Sequence, residues 1–322
     1  MKHLDVHARA MGPSYGLMAL PLSFVALPMY VNLPHFYATQ FAMSLTTLGT
    51  VLMFSRLLDA FIDPWFGRVS DQLYRRSAFA VGFAVLVLAS VLLLSFAALF
   101  FPPDAAVAGW GVLWIATFVS LCHLAYSGLS ILHQAWATRL GGDALLQGNV
   151  IAWREGAGLI GVVLASLLPA LAGWTVTTWV LGVMLLLGAL AWQRAFSAGM
   201  RVTTQHAMSI SSEAVTLPLK QPLFLKLLCV FMLNGIASAV PASLVMFFVE
   251  DQIQAAANVA PLFLGVYFLA GVISLPLWLK LIRQWGLPKA WALGMALALI
   301  SFASVSTLGA GDEVPFFFVC LA

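Results

Sequence analysis

The sequence predicts an all-α, polytopic membrane protein, and three observations carry that prediction. Hydrophobic residues fill 62% of its 322 positions and charged residues only 8%, against about 25% charged in an ordinary soluble domain. Apolar runs of twenty or more residues recur along the chain, each long enough to cross a hydrocarbon core about 30 Å thick. Lys and Arg gather in every second connection between those runs. A chain so poor in charge cannot cover its own core with polar surface, so lipid must replace water around most of it.

Taken in order, spans are expected at 14–36, 41–64, 78–101, 108–136, 150–172, 175–195, 222–249, 258–283 and 288–309, with a tenth starting near Val314. These are long continuous runs, not alternating ten-residue segments, so helices are expected and not a barrel. The first span is too long for the apolar core of a cleaved signal. The chain stops at Ala322 inside an apolar run. A helix ending there would leave carbonyls unpaired in lipid, so a C-terminally truncated protein is expected.

Orientation follows from the basic residues. Lys2 and Arg9 precede span one, and Arg68, Arg75 and Arg76 follow span two. Arg139 and Arg154 flank the fourth connection, and Arg194, Arg201, Lys220 and Lys226 lie around the sixth. Lys280, Arg283 and Lys289 mark the eighth, whereas the alternate connections carry no Lys or Arg. Only Arg56 breaks the pattern. The positive-inside rule then puts the N-terminus in the cytoplasm, with the chain in a bacterial inner membrane. The longest polar connection, 197–221, divides the chain into a six-helix bundle over 1–196 and a partial second bundle over 222–322. Two bundles about a cytoplasmic linker is a transporter layout.

Several function classes drop out. No basic patch sits on a soluble face, so no nucleic-acid partner is expected. Cys122, Cys229 and Cys320 are far apart in apolar stretches and read as small hydrophobes. Most of the eleven tryptophans read as interface anchors or lipid-facing bulk, Trp114 and Trp153 excepted. The expected partners are lipids and a small solute, bound by a monomer with no cofactor beyond a coupling Na or H ion.

Chemistry concentrates in span two. Arg56, Asp59 and Asp63, in SRLLDAFIDPW, are spaced three and four apart and share one helical face. Each intramembrane charge costs roughly 2.5–3.5 kcal/mol on insertion scales. Arg56 can neutralise one aspartate. The other is left for a cation, a proton or a neighbouring helix, and oxygen ligands one turn apart suit a small hard cation. Asp63 also precedes Pro64, which can simply terminate the helix. In span four, Ser130 and Gln134 share a face and can hydrogen-bond a solute or glue helices together. His133, near the end of that span, is expected to be solvated. Asn234 in span seven is either a kink support or a cavity ligand. Arg154 with Glu155 reads as a gate or headgroup contact.

The run GRVSDQLYRR follows span two. Its Gly67, Asp71, Arg75 and Arg76 resemble the G-x-x-x-D-x-x-x-R-R outline of major facilitator transporters, with the glycine allowing a tight turn and Asp71 reaching the next helix N-terminus. Arg56-x-x-Asp59-x-x-x-Asp63-Pro64 before it is similar to the glycoside–pentoside–hexuronide cation symporters, the melibiose-carrier family. Tyr15-Gly16-Leu17, Arg154, Pro276-x-Trp278 and Gly286-x-x-Lys289 agree with that resemblance. It implies a twelve-helix major facilitator fold, of which nine or ten helices are present. It also implies alternating access and solute uptake driven by sodium, lithium or protons, with Asp59 and Asp63 as cation ligands and Arg56 as their charge partner beside the solute. Two departures stand out. Span one carries no acid in the region Ala19 to Ser23, and the family's T-x-x-D-x-P-x-W reads Ser127-x-x-Ser130-x-Leu132-x-Gln134. They point towards a solute less hydroxyl-rich than a galactoside, within a range that includes sugars and glycosides.

Two other readings compete. Asp59-x-x-x-Asp63 superficially resembles the aspartate-rich motif of magnesium-dependent membrane prenyltransferases. That chemistry wants a second acidic motif on the same side, and the pairs Glu250-Asp251 and Asp312-Glu313 fall on the other side by the charge rule. The chain can also be a non-transporting fragment.

Overall fold

The computed structural model describes residues 12–139, 144–199, 220–256 and 259–321. Among them the structure is all-helical, and seven helices are long and apolar enough to cross a membrane. Helix α1 is Gly12–Phe41, with a π-helical turn at Pro28–Asn32, and it ends at Ala42 in the left-handed conformation (φ 51°). Helices α2, Leu45–Arg76, and α3, Ala78–Phe100, follow. Ser44 caps α2 by accepting the Thr47 N–H at 3.1 Å, and Ser77 caps α3 by accepting the Ala80 N–H at 3.1 Å, which satisfies N–H groups that a helix start leaves unpaired.

Helix α4 is Asp104–Arg139, with one non-helical residue at Trp110. Ala144–Gly199 is interrupted at Gly173 (φ 76°), a backbone conformation that only glycine adopts cheaply. Its two arms are α5 (144–172) and α6 (174–199). Helix α7, Pro222–Phe247, runs into a second π-helical turn, Phe248–Gln252. Helices α8, Ala260–Trp285, α9, Leu287–Val305, and α10, Glu313–Leu321, complete the described chain.

The largest difference from the expected spans is α2. It does not end at Pro64 but continues to Arg76 with Pro64 inside. A proline forfeits one backbone bond, and a long helix absorbs that loss where neighbours or water re-satisfy the freed carbonyl. Gly67 therefore lies within a helix and makes no tight turn, and Asp71, Arg75 and Arg76 sit on the last two turns of α2. Most of the linker expected at 197–221, with Lys2, Arg9 and Arg201, lies outside the described residues.

The core forms chiefly among the first six helices. Helix α1 packs on the α5–α6 segment, and α4 packs on α2 and α3. Small residues let the α1 and α5 backbones approach. A Cβ on Gly161 would come to 2.2 Å from the Leu20 carbonyl oxygen, and one on Gly16 to 2.6 Å from that of Trp153. Trp136 and Trp192 are buried, so these two tryptophans are core residues and not lipid-facing bulk.

Candidate functional site

Helix α2 has two unlike faces. Phe54, Leu57, Phe61 and Trp65 are exposed, Phe61 by 81%, while Ser55 and Asp59 on the opposite stripe are buried. Spacings of three, four, seven and eleven keep the aromatic and aliphatic side chains together, and steps of four align Ser55, Asp59 and Asp63. The charged stripe thus faces protein while the apolar stripe faces outward. Helix α4 runs parallel beside it and presents His123 and Ser127, also four apart.

The two stripes meet rung by rung. Ser55 Oγ and His123 Nδ1 share a hydrogen bond of 2.5 Å. His123 Nδ1 lies 3.9 Å from Asp59 Oδ2. Arg56 donates to Asp59 Oδ2 at 3.3 Å, and its guanidinium lies 4.1 Å from the centroid of the Tyr30 ring, a cation–π distance. Tyr30 lies in the π-helical turn of α1, and its ring centroid is 6.0 Å from that of His123. One turn further, Ser127 Oγ donates to Asp63 Oδ1.

This cluster is not self-sufficient. Asp59 Oδ1, Arg56 Nη2 and His123 Nε2 are all buried without a hydrogen-bond partner among the described residues. Leaving a buried polar atom unpaired costs about 1–3 kcal/mol, and more for a charged group. A free acceptor, a free donor and an imidazole nitrogen within one site suit a ligand that offers positive charge to the carboxylate and an acceptor to the guanidinium.

Of the residues singled out by sequence, the structure gathers Arg56, Asp59, Asp63 and Ser127. Ser130 is half-buried and Gln134 exposed, and neither bonds to the aspartates. Asn234 is half-buried on α7, its carbonyl accepting from Ser238 Oγ at 2.9 Å. Arg154, within α5, donates to Glu155 at 2.5 Å and bonds to none of the cluster residues. Asp71 does not reach the start of α3; instead Arg139, at the end of α4, donates to it at 2.5 Å. Arg75 and Arg76 are exposed. His133 is not solvated. It is 1% exposed, donates to the Tyr15 carbonyl at 2.9 Å and stacks on the Tyr15 ring at 3.9 Å, because α1 covers this end of α4.

Sequence reasoning missed His123, Ser55 and Tyr30. Two of them left a signal: His123 precedes Ser127, and Ser55 precedes Asp59, by the same four residues that align the aspartates. Tyr30 left none, since its place over Arg56 depends on how α1 packs.

The chain matches the family described as MFS/sugar transport protein over residues 13–322. The chain belongs to that family. It is a multi-pass membrane protein of the major facilitator superfamily, and membership in the MFS/sugar transport family points to a transporter and not to an enzyme. No curated relative matches it.

Proposed function

We propose that this MFS/sugar transport protein is a cation-coupled symporter of the melibiose-carrier type. It would move a small solute across a bacterial inner membrane by alternating access, with its N-terminus in the cytoplasm. The observation that carries the proposal is the Arg56–Asp59–His123 cluster, in which each side chain holds one buried atom with no partner among the described residues. Asp59 and Asp63, with Ser127, form the cation-binding edge for Na or H. Arg56 and Tyr30 form the solute-facing edge. A cation on the aspartates offsets their charge against Arg56, so that closure around both guests avoids burying an uncompensated charge. Each guest then favours closure only with the other present, and the downhill ion draws the solute. Ser130, Gln134, Asn234 and Arg154 stand further from the cluster, as second-rank cavity residues or end contacts. The run Gly67, Asp71, Arg75 and Arg76 serves as an end lock through Asp71 and Arg139. The protein acts as a monomer in lipid and needs no cofactor beyond the coupling ion.

The prenyltransferase alternative gains no support from the described acidic pairs. Glu250 bonds His35 on another helix, and Asp312 accepts the Gly309 N–H at 2.9 Å in its own loop. The deciding measurement is solute accumulation in vesicles under imposed sodium or proton gradients. Asp59→Cys and Asp63→Cys are expected to abolish gradient-driven accumulation while insertion remains normal. Uphill uptake persisting in both variants would overturn the coupling mechanism.

A further inference from the structure

The Lys/Arg-free end of the molecule holds a hydrogen-bonded pair that joins the first six helices to the later ones. His35, near the end of α1, donates from Nε2 to Glu250 Oε2 at 2.7 Å. Their side chains are 17% and 34% exposed, so the pair is partly withdrawn from solvent. The Phe247 ring packs against the imidazole with centroids 5.4 Å apart. Each partner belongs to a helix with a π-helical turn nearby: Pro28–Asn32 lies shortly before His35, and Phe248–Gln252 contains Glu250. A π turn widens the helix and re-aims the side chains around it.

What surrounds the pair is packed. Met246, Val249, Ile253 and Phe263 are buried. Gln252 donates to the Leu308 carbonyl at 3.2 Å, and the Gly311 N–H donates to the Ile253 carbonyl at 2.9 Å. The turn carrying Glu250 is therefore braced from behind by the loop between α9 and α10. At the same end α5 touches α8, where a Cβ on Gly265 would come within 2.5 Å of Leu167 Cδ2. The far half of α7 differs. From Pro222 to Val240 every residue is exposed except half-buried Asn234. The same helix is held at one end and free at the other.

We propose that His35 and Glu250 form a latch that closes the solute path at the Lys/Arg-free end and must part when the path opens there. The proposal rests on the transporter reading, but its test needs neither solute nor coupling ion. In a fixed assembly a direct bond between one residue of each helix group only adds to the packing that joins them. In an alternating one it sets the relative population of the two states, since only one state contains it.

The test places nitroxides at Gln40→Cys and Ala256→Cys, with Cys122, Cys229 and Cys320 replaced by Ser, in the full chain reconstituted in lipid. Pulsed electron resonance then reads the distance between the helix groups. His35→Ala and Glu250→Ala are each expected to raise the ratio of long to short distances roughly two- to ten-fold, the net worth of one intramolecular hydrogen bond. The exchanged pair, His35→Glu with Glu250→His, is expected to bring the ratio back, which a merely structural role of either side chain would not do. An unchanged ratio in both single variants, or no recovery in the exchanged pair, would each overturn the latch. If instead Asp59→Cys and Asp63→Cys both leave uphill uptake intact, the coupling mechanism fails while the distance ratio still judges the latch.

Discussion

Helices α1–α6 and helices α7–α10 are built from the same apolar residues, yet they use them differently. In α1 the most apolar stretch is 67% buried inside the protein, and in α7 the corresponding figure is 0%. The first group interlocks through glycines that bring α1 against α5, through Tyr37, which donates to the Leu99 carbonyl at 2.8 Å, and through His133 on the Tyr15 carbonyl. The second group is anchored to the first near the π-helical turn of α7. Within lipid there is no hydrophobic drive to join helices, and close packing with interhelical hydrogen bonds has to supply the association. The difference implies that rigidity belongs to the first six helices and that displacement of α7 sacrifices little packing.

The largest effect is expected where the first group is tightest. Gly161→Ala would drive a methyl into the Leu20 carbonyl, and overpacking of this kind costs about 1–3 kcal/mol, with backbone contacts at the upper end. Gly235→Ala on α7 meets nothing within 4 Å and is expected to be neutral or to add up to about 1 kcal/mol of helix stability. Thermal unfolding of the two variants in detergent measures the contrast, and equal losses would erase the distinction between the groups. A middle effect is expected from Ser127→Ala. It removes the donor to Asp63 and is expected to weaken the cation dependence of uptake about five- to ten-fold, within the net worth of one intramolecular hydrogen bond, with unfolding nearly unchanged. Unaltered cation dependence would detach Ser127 from the ion edge. The smallest effect belongs to Arg139→Gln. Its pair with Asp71 is substantially exposed, so less than about 1 kcal/mol of stability is expected to go. A larger loss would mean that this end is held as firmly as the core.

Much of this was legible in the residue order, and the misses share a cause. The charged stripe of α2 was readable because a step of four residues is a property of one helix. Its partner stripe on α4 was half readable: Ser127 could be aligned with a known pattern, whereas His123 matched none. The continuation of α2 past Pro64 was hidden because a proline marks a helix end only when nothing nearby compensates for its lost bond. The burial of His133 was hidden because Tyr15, which covers it, is 118 residues away.

The sequence by itself determined the solvent, the rhythm of the spans, the side on which the basic residues gather and the stacking of Arg56, Asp59 and Asp63 along one rod. Each depends on residues within a few turns of one another, and lipid enforces them by penalising any exposed backbone group or stray charge. Only the tertiary structure decided that His123, Ser55 and Tyr30 close around Asp59 and Arg56, that Ser127 meets Asp63, and that His35 bonds Glu250 across 215 positions. Those pairings depend on which faces two helices turn towards each other, and that choice is made by the packing of the whole helix group.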